Sequence, residues 1–312
     1  MARCGEAEHA VATYGRVMEH RTMANPSMME VAAMARIEAH SADQSAKAQA
    51  RAMWALGDYH RFAKENVWTL GPLLVQACGI GPEQRVLDVA AGTGNVAIRA
   101  AEAGANVVAS DLTPESLESG RSEARARGVE LDWIEADAEA LPFADAEFDV
   151  VTSALGVIFA SNQQAVADEL VRVCRPGGTI GMINFAPRGL AAEFFELLAR
   201  YAPPPPDAPS PLLWGDEEHV RELFGERLER LELSRGQYSE HSTDPEAYCA
   251  FFEETFGPLV GIRGSLTGDS DRLAALDEEF RELATRRNVG PPGGPAEFPY
   301  EYLLVVGRKR GS

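Results

Sequence analysis

Residues 85–94 read Arg-Val-Leu-Asp-Val-Ala-Ala-Gly-Thr-Gly, an apolar run that passes directly into a glycine-rich turn. The next residues, Asn95–Ala103, have a helical composition, and Gly104 is placed to close that helix. Gly92 and Gly94 allow the backbone to turn tightly and to approach a ligand closely. A helix that follows such a turn presents unpaired N–H groups at its N-terminus. We therefore predict a strand, a ligand-binding loop and a helix over 85–103.

The same alternation of short apolar runs and helical segments continues along the chain. Further strands are predicted over Asn106–Ser110, Leu131–Glu135, Phe148–Ser153, Thr179–Asn184, Leu228–Ser234 and Tyr300–Val306. Helices are predicted over Tyr59–Cys78 (with a break at Gly71-Pro72), Thr113–Gly128, Gln163–Cys174, Leu190–Tyr201, Asp216–Phe224, Pro245–Phe256 and Asp269–Arg287. Strands that alternate with helices at this spacing indicate an α/β fold with a parallel sheet covered on both faces.

The composition limits what the protein can bind. The 312 residues carry a formal net charge of −19, with 45% hydrophobic and 25% charged residues. Because nucleic-acid binding depends on Lys and Arg that neutralise phosphates, we expect no nucleic-acid partner. The same charge argues against stable association with an anionic membrane. We see neither a signal peptide nor an apolar run long enough to span a bilayer, and expect a cytoplasmic protein.

The cysteines do not indicate a metal site. Cys4, Cys78, Cys174 and Cys249 are far apart and form no Cys-x-x-Cys pair, so we expect no metal. Cys78 and Cys174 lie in apolar helical runs, where buried structural thiols are expected.

Three acids stand at the ends of three predicted strands and are expected to converge on one crevice. Asp88 precedes the glycine turn and is placed to pair with an ammonium group, which a methionine-bearing cofactor has and a nicotinamide dinucleotide lacks. Asp111 ends the second strand, where an acid can bind two ribose hydroxyls in either cofactor class. Asp137, followed by Ala138, comes after the third strand and could accept from an adenine amino group. The glycine turn alone would also suit a dinucleotide fingerprint with Ala97 at its third small position.

Several motifs occur in an order that resembles a known family. They are Asp88-Val-Ala-Ala-Gly-Thr-Gly94, Ser110-Asp-Leu112, Glu135-Ala-Asp-Ala138, Leu141-Pro-Phe143 and Arg175-Pro-Gly-Gly178. Together they resemble the class I S-adenosylmethionine-dependent methyltransferases, in particular the type 11 branch that contains the ubiquinone and menaquinone C-methyltransferases. The resemblance covers roughly residues 55–185 and implies S-adenosyl-L-methionine as cofactor. It also implies a Rossmann-like doubly wound sheet, mainly parallel with an antiparallel last strand.

The resemblance assigns cofactor-binding roles by position. The backbone at Ala90, Gly92, Thr93 and Gly94 is expected to hold the methionine moiety. Asp111 and the adjoining Leu112 are expected at the ribose, and Asp137 and Ala138 at the adenine. In the quinone branch a serine after the fourth strand also contacts the cofactor. Here Ala154 takes that place and Ser153 stands one residue earlier, a departure that puts quinone specificity in doubt.

The segment Trp54–Tyr59 resembles the aromatic stretch that covers the cofactor in this family. Tyr59 is expected against the methionine end, or alternatively packs a helix onto the sheet with Trp54 and Phe62. A proton acceptor for the reaction could be a His, Asp, Glu or Tyr near the sulfonium, and the candidates that the sequence offers are histidines. We predict His241 and His60, the first near the expected substrate and the second beside the covering segment. His219 is a further candidate.

The resemblance and the pattern together predict a division of the chain. Residues 1–50 form an N-terminal extension, partly helical or disordered; 51–185 the S-adenosylmethionine-binding core; 186–299 a helical substrate cap with the sixth strand; and 300–312 the final strand and tail. Aromatic residues of the cap line the substrate cavity or form the cap's own core. They are Phe194, Phe195, Trp214, Tyr248, Phe251, Phe252 and Phe256.

We therefore predict a methyltransferase that acts on a small, apolar or aromatic molecule by in-line O-, N- or C-methylation. Two alternatives remain open at this point. One is an NAD-dependent oxidoreductase on a similar sheet. The other is a catalytically silent cofactor-binding or oligomerisation module, in which the helical stretch Met28–Ala55 would serve an interface. That stretch is also compatible with a homodimer.

Overall fold

The computed structural model describes residues 44–206 and 208–311. The chain divides into two compact units, 1–50 and 51–312. Of the first unit, only 44–50 is described, and it is helical. The predictions for residues 1–43, including Cys4 and most of Met28–Ala55, lie outside the described residues. The predicted domain boundaries, the cytoplasmic location and the homodimer stay predictions.

The second unit is built on one seven-stranded sheet with the order β3-β2-β1-β4-β5-β7-β6. The strands are β1 (Arg85–Val89), β2 (Asn106–Asp111), β3 (Asp132–Glu135), β4 (Phe148–Ala154), β5 (Cys174–Phe185), β6 (Leu228–Ser242) and β7 (Ala296–Lys309). The first five pair in parallel, and β7 lies antiparallel between β5 and β6. This confirms the predicted Rossmann-like α/β fold, mainly parallel with an antiparallel last strand.

Helices connect the strands. They are α1 (Tyr59–Phe62), which continues as the π-helical turn Ala63–Val67, α2 (Leu70–Ala77), α3 (Asn95–Glu102), α4 (Pro114–Ala126), α5 (Gln163–Val173), α6 (Gly189–Tyr201), α7 (Glu217–Phe224), α8 (Pro245–Thr255), α9 (Gly257–Ser265) and α10 (Ser270–Arg287). Side-chain caps fix several starts: Asn162, Asp216, Asp244 and Asp269 each accept a hydrogen bond from a backbone amide of the first turn. None of the helices in the described residues is long and apolar enough to cross a membrane.

The strand order places a crevice beside β1. β1 pairs with β2 on one side and with β4 on the other, so the connections leave in opposite directions at its carboxyl end. Such a switch point is where open α/β sheets bind ligands.

The core forms two clusters, to which successive residues of β1 contribute in turn. Val86 belongs to one cluster, while Leu87 and Val89 belong to the other, as the two-residue period of a strand requires. The first cluster includes the aromatic residues of α6, α8 and α10, and the second those of α7 and its surroundings. Cys78 and Cys174 are buried, as predicted.

Three strands are clearly longer than the sequence pattern predicts. β5 begins at Cys174 instead of Thr179. β6 reaches Ser242 instead of Ser234, and β7 begins at Ala296 instead of Tyr300. The missed residues at these ends pair with each other, from Ser239 opposite Pro299 to Ser242 opposite Ala296. β6 is an edge strand. Its many charged residues, which are common on edge strands, obscure the alternation of apolar and polar residues that would indicate a strand.

The helix is interrupted at Trp68-Thr69, between the π-helical turn and α2, just before the predicted break at Gly71-Pro72. α2 begins at Leu70 and includes both residues, because a proline is tolerated in a first turn, where N–H groups lack partners anyway. Gly71 instead permits close packing, since a Cβ there would lie 2.5 Å from the carbonyl oxygen of Asn95.

The glycine-rich helix α9 was not predicted, because glycine is a poor helix former. A Cβ at Gly257, its first residue, would lie 2.5 Å from the carbonyl oxygen of Met53. Close backbone packing therefore accounts for this glycine.

Candidate active site

Three residues of the turn that follows β1 have left-handed backbone conformations. Gly92 and Gly94 have φ angles of +55° and +85°, and Ala90 has a φ of +51°. Left-handed backbone is easily accessible to glycine and costs about 1 kcal/mol or more for other residues. The backbone amide of Ala91 donates to the carbonyl oxygen of Ser110 (2.9 Å), which ties the turn to β2.

Asp88 lies beneath this turn and is almost completely buried. One carboxylate oxygen accepts from the backbone amide of Ala97 (3.0 Å), and the other from the hydroxyl of Thr152 on β4 (2.9 Å). Burial raises the pKa of Asp88 to about 7, and these two hydrogen bonds only partly oppose the effect. The geometry therefore gives Asp88 a structural role between β1, α3 and β4, while its pairing with a ligand ammonium group stays a prediction.

Asp111 connects the end of β2 to the turn. One carboxylate oxygen accepts from the amide of Gly92 (2.7 Å) and the other from the amide of Thr113 (2.8 Å). Burial raises the pKa of this carboxyl, and the backbone hydrogen bonds offset part of that rise. A carboxylate has about four acceptor positions, so Asp111 keeps acceptor capacity beyond these two bonds. Leu112 beside it is half-buried.

Asp137 lies at the neighbouring strand end. The amide of Ala136 donates to the carbonyl oxygen of Asp111 (3.0 Å), which brings the ends of β2 and β3 together. One carboxylate oxygen of Asp137 accepts from the amide of Glu139 (2.9 Å), and Ala138 between them is half-buried. The structure thus gathers the predicted acids at one edge of the sheet.

The end of β4, unlike the ends of β1 and β2, carries no acidic side chain. Ser153 is completely buried, and its hydroxyl accepts from the amide of Val157 (3.2 Å), so it caps the following turn. Ala154 is half-buried at the end of the strand. The Ser153 hydroxyl is thus used in a hydrogen bond within the protein. Ala154 can contact a ligand only through its backbone and its methyl group.

Thr93 has a feature that the sequence did not indicate. The residue is 2% exposed, and its hydroxyl has no hydrogen-bond partner in the described part of the chain. A buried polar atom without a partner is unusual in a folded protein and calls for an explanation such as a ligand or water.

Aromatic rings cover both sides of the turn. A Cβ at Gly92 would lie 3.0 Å from Cε1 of Tyr59, and a Cβ at Gly94 would lie 2.5 Å from the indole of Trp133. The same indole lies against Gly120 on α4. Tyr59 was expected here from the resemblance, whereas Trp133 was missed because a tryptophan in a strand indicates only core packing.

Tyr59 also lines an apolar cavity beside the turn. The cavity leaves about 40 Å³ for the centres of water molecules, which is room for roughly three waters. It is lined by Trp54, Tyr59, Phe62, Val67, Leu155, Phe159, Phe185, Ala191, Phe194, Phe195, Glu240, Phe252, Phe256 and Tyr300. Four of the aromatic residues predicted for the cap therefore line a cavity. The other three do not: Trp214 packs on Phe224, Tyr248 on Phe298, and Phe251 on Phe62.

Glu240 is the only acid among the described residues that line this cavity, and sequence reasoning missed it. It is 2% exposed; one carboxyl oxygen accepts from the hydroxyl of Tyr238 (3.2 Å), and the other has no hydrogen-bond partner within 44–206 and 208–311. Burial raises the pKa of Glu240 to about 8. The alternation Tyr238, Glu240 would have revealed an inward face had the strand been extended past Ser234.

The structure brings neither predicted histidine to the cavity. His241 follows Glu240 on β6 and is exposed, because successive residues of a strand point to opposite faces. Nε2 of His60 lies 3.4 Å from a carboxylate oxygen of Glu123, and its ring stands edge-on to Trp68. Neither imidazole therefore lines the cavity, and a role for either one as proton acceptor stays a prediction. Nε2 of His219, the third candidate, is hydrogen-bonded to Oε1 of Gln163 (2.7 Å).

Within the described residues, no group of three or more His, Cys, Asp or Glu side chains is placed to hold a metal ion.

Comparison with known proteins places this site in a family. A family model described as a methyltransferase domain matches residues 86–178. An uncharacterised protein of Mycobacterium tuberculosis is 45% identical over 271 residues, which cover 86% of this chain and 97% of that protein. The demethylmenaquinone methyltransferase of Thermus thermophilus is 43% identical over 106 residues, or 33% of this chain and 48% of that enzyme. The crystal structure of the YcgJ protein from Bacillus subtilis shares the fold, with a TM-score of 0.51, 22% identity, and coverage of 77% of this chain and 97% of that one.

Proposed function

We propose that this protein, which belongs to the S-adenosylmethionine-dependent methyltransferases, transfers a methyl group to a small apolar or aromatic molecule held in the aromatic cavity. One observation carries the proposal: Tyr59 touches the glycine turn at Gly92 and also lines the cavity. The expected cofactor site and the cavity therefore share a wall. A methyl donor on the turn and an acceptor in the cavity would be neighbours.

The residues of the turn fit the cofactor. A Cβ at Gly92 would lie only 3.0 Å from the ring of Tyr59, so the glycine leaves more room between the turn and this ring. The buried hydroxyl of Thr93 has no partner among the described residues and would be available to a ligand. We assign Ala90, Gly92, Thr93 and Gly94 to the methionine moiety, with Tyr59 covering it.

The strand-end acids fit the rest of the cofactor. The spare acceptor capacity of Asp111 suits two ribose hydroxyls, since charge-assisted hydrogen bonds are the strong ones. Leu112 would lie beside the ribose, and Asp137 and Ala138 beside the adenine. Ser153 and Ala154 would line the floor of the crevice through backbone and packing.

S-adenosyl-L-methionine supplies an activated methyl group when bound, so the protein contributes binding, alignment and exclusion of water. The cavity walls are mostly aromatic carbon, which excludes water from the reacting atoms. Holding both reactants in line is worth several kcal/mol in such displacements. Asp88 positions the turn from below through Ala97 and Thr152.

The cavity also indicates the substrate class. Apolar cavities with a few polar groups bind small organic molecules, and the polar groups fix their orientation. The space in the described conformation is small, so a ring-sized substrate requires the surrounding aromatic side chains to move. The similarity to the demethylmenaquinone methyltransferase covers only a third of this chain. The proposal therefore does not include a quinone as the substrate of this protein.

The proposal is tested by incubating the purified full-length protein with methyl-labelled S-adenosylmethionine and separate panels of phenols, aromatic amines, proteins and nucleic acids. We expect label in small organic molecules only, and a strongly reduced rate for Asp111→Ala. Label confined to protein or nucleic acid, or oxidation of NADH without any methyl transfer, would contradict the proposal.

A further inference from the structure

Glu240 places a carboxyl group in the wall of a buried, mostly apolar cavity. The side chain is 2% exposed and lines a cavity whose other walls are almost entirely aromatic. One oxygen accepts from Tyr238, and the other has no hydrogen-bond partner among the residues that the structure describes. A buried polar atom without a partner costs about 1–3 kcal/mol. A cost of this kind is typical of a site that acts on a ligand.

The surroundings of Glu240 are hydroxyl groups without a cation. Tyr238 lies on the same strand, and its ring stacks on that of Tyr300 at 5.4 Å. The hydroxyls of Tyr248, on α8, and Tyr300, on β7, are 2.5 Å apart. Tyr59 faces the same cavity from α1. No Lys, Arg or His is among the described residues that line the cavity, so nothing there neutralises a carboxylate.

Glu240 shares the cavity with the residues next to the turn. Tyr59 packs on Gly92, and Leu155 directly follows the end of β4 at Ala154. A molecule that hydrogen-bonds the free oxygen of Glu240 therefore lies in the same cavity that meets the proposed methyl-donor site.

We propose that Glu240 is the general base of the reaction and accepts the proton of a hydroxyl group on a flat, uncharged phenol or enol. The inference rests on the proposed function. The hydroxyl O–H bond breaks and its proton passes to the free oxygen of Glu240. The substrate oxygen forms a bond to the methyl carbon, while the carbon–sulfur bond of the donor breaks and its electron pair stays on sulfur. The products are a methyl ether, a neutral thioether and a protonated Glu240, which later returns its proton to water.

The chemistry of the cavity favours a neutral hydroxyl compound over a cationic amine. With a pKa of about 8, Glu240 is mostly uncharged near neutral pH in the cavity as it stands. An uncharged apolar cavity accepts a neutral ring without having to bury a charge. A carboxylate with a raised pKa is also a stronger base than an ordinary one, which suits the weakly acidic proton of a phenol.

The test compares Glu240→Gln with Glu232→Gln, the same substitution at an exposed position on the same strand. Both proteins are assayed with phenols and with aromatic amines over a range of pH, and their affinity for S-adenosylhomocysteine is measured. We expect Glu240→Gln to lower kcat on phenols by about 100-fold or more, with cofactor affinity unchanged. Glu232→Gln should behave like the wild type. The wild-type rate should rise with pH through about 8, as Glu240 ionises.

A third variant and a binding measurement separate a base from a merely structural residue. Tyr238→Phe keeps the ring but removes a hydrogen bond that favours the charged carboxylate. Its pH–rate profile should shift to higher pH. Binding of p-nitrophenol, whose phenolate has its own absorbance band, should produce bound phenolate with the wild type and bound phenol with Glu240→Gln.

The outcomes are distinct. Wild-type kcat in Glu240→Gln, turnover of amines alone, or failure of phenols both to bind and to react would each overturn the role of Glu240. Failure of the wild type to bind S-adenosylhomocysteine would instead overturn the proposed function.

Discussion

The carboxylate of Asp111 accepts a 2.7 Å hydrogen bond from the backbone amide of Gly92, which fixes the glycine turn to the end of the neighbouring strand. The other oxygen holds the amide of Thr113 at the start of α4. One side chain thus sets the position of the turn and of the next connection, and it retains acceptor capacity for a ligand. Asp111 therefore links the two connections that border the crevice.

Asp111→Ala is expected to weaken S-adenosylhomocysteine binding about tenfold or more, because it removes charge-assisted hydrogen bonds to the ribose. Titration calorimetry measures the effect. Asp132→Ala, at an exposed position on β3, is the matched control and should bind like the wild type. An affinity of Asp111→Ala equal to that of the control would refute the ribose role.

Gly92→Ala is expected to abolish measurable cofactor binding. The new Cβ would lie 3.0 Å from Tyr59, on a backbone with a φ of +55°. Gly128→Ala is the control, since Gly128 has a φ of +72° but no atom within 4 Å of the Cβ position. Both variants should lose about 1 kcal/mol of folding stability, while only Gly92→Ala should lose binding. Equal binding by the two variants would show that Tyr59 does not restrict the turn.

Two substitutions of Asp88 test whether its carboxylate only supports the turn or also binds the cofactor. Asp88→Ala leaves the amide of Ala97 and the hydroxyl of Thr152 without their partner, and should reduce the free energy of unfolding by about 2 kcal/mol or more. Asp88→Asn can still accept from Ala97, while Thr152 turns to the carbonyl oxygen of Leu87. Its affinity for S-adenosylhomocysteine should stay within about threefold of wild type, since a hydrogen-bonded amide replaces the carboxylate. A much larger loss in calorimetry would support direct pairing with the cofactor's ammonium group instead.

Glu240→Gln is expected to stabilise the protein at alkaline pH. Because the pKa of Glu240 is raised to about 8 in the fold, its contribution to stability is complete in acid and is lost as pH rises towards 8. Chemical unfolding at about pH 9 should show a gain of roughly 5 kcal/mol for the variant over wild type, and a much smaller difference at about pH 5. A difference independent of pH would show that Glu240 does not titrate in this way.

The two predicted histidines provide a negative test. His241→Ala and His60→Ala should each keep kcat within about threefold of wild type, since general-base catalysis contributes far more than that. His241 is exposed on the outer face of β6, and His60 lies against Glu123 and Trp68. A loss of two orders of magnitude in either variant, with folding intact by circular dichroism, would return that histidine to the mechanism.

Local sequence determined the parts of the fold that could be predicted. The turn at Gly92 and Gly94, with Asp111 at the next strand end, follows from a strand, a glycine loop and a helix that are contiguous in the chain. Glu240 could not be recognised in this way, because its strand is charged and its environment comes from Tyr300, sixty residues further on, through antiparallel pairing. The partners of Asp88 were hidden for a similar reason, since Thr152 belongs to β4.

The central claim is that the glycine turn holds S-adenosylmethionine, and parallel calorimetric titrations of the full-length protein with S-adenosylhomocysteine and with NADH test it most directly. The account predicts saturable binding of S-adenosylhomocysteine, weakened in Asp111→Ala, and no binding of NADH. Binding of NADH alone would contradict it.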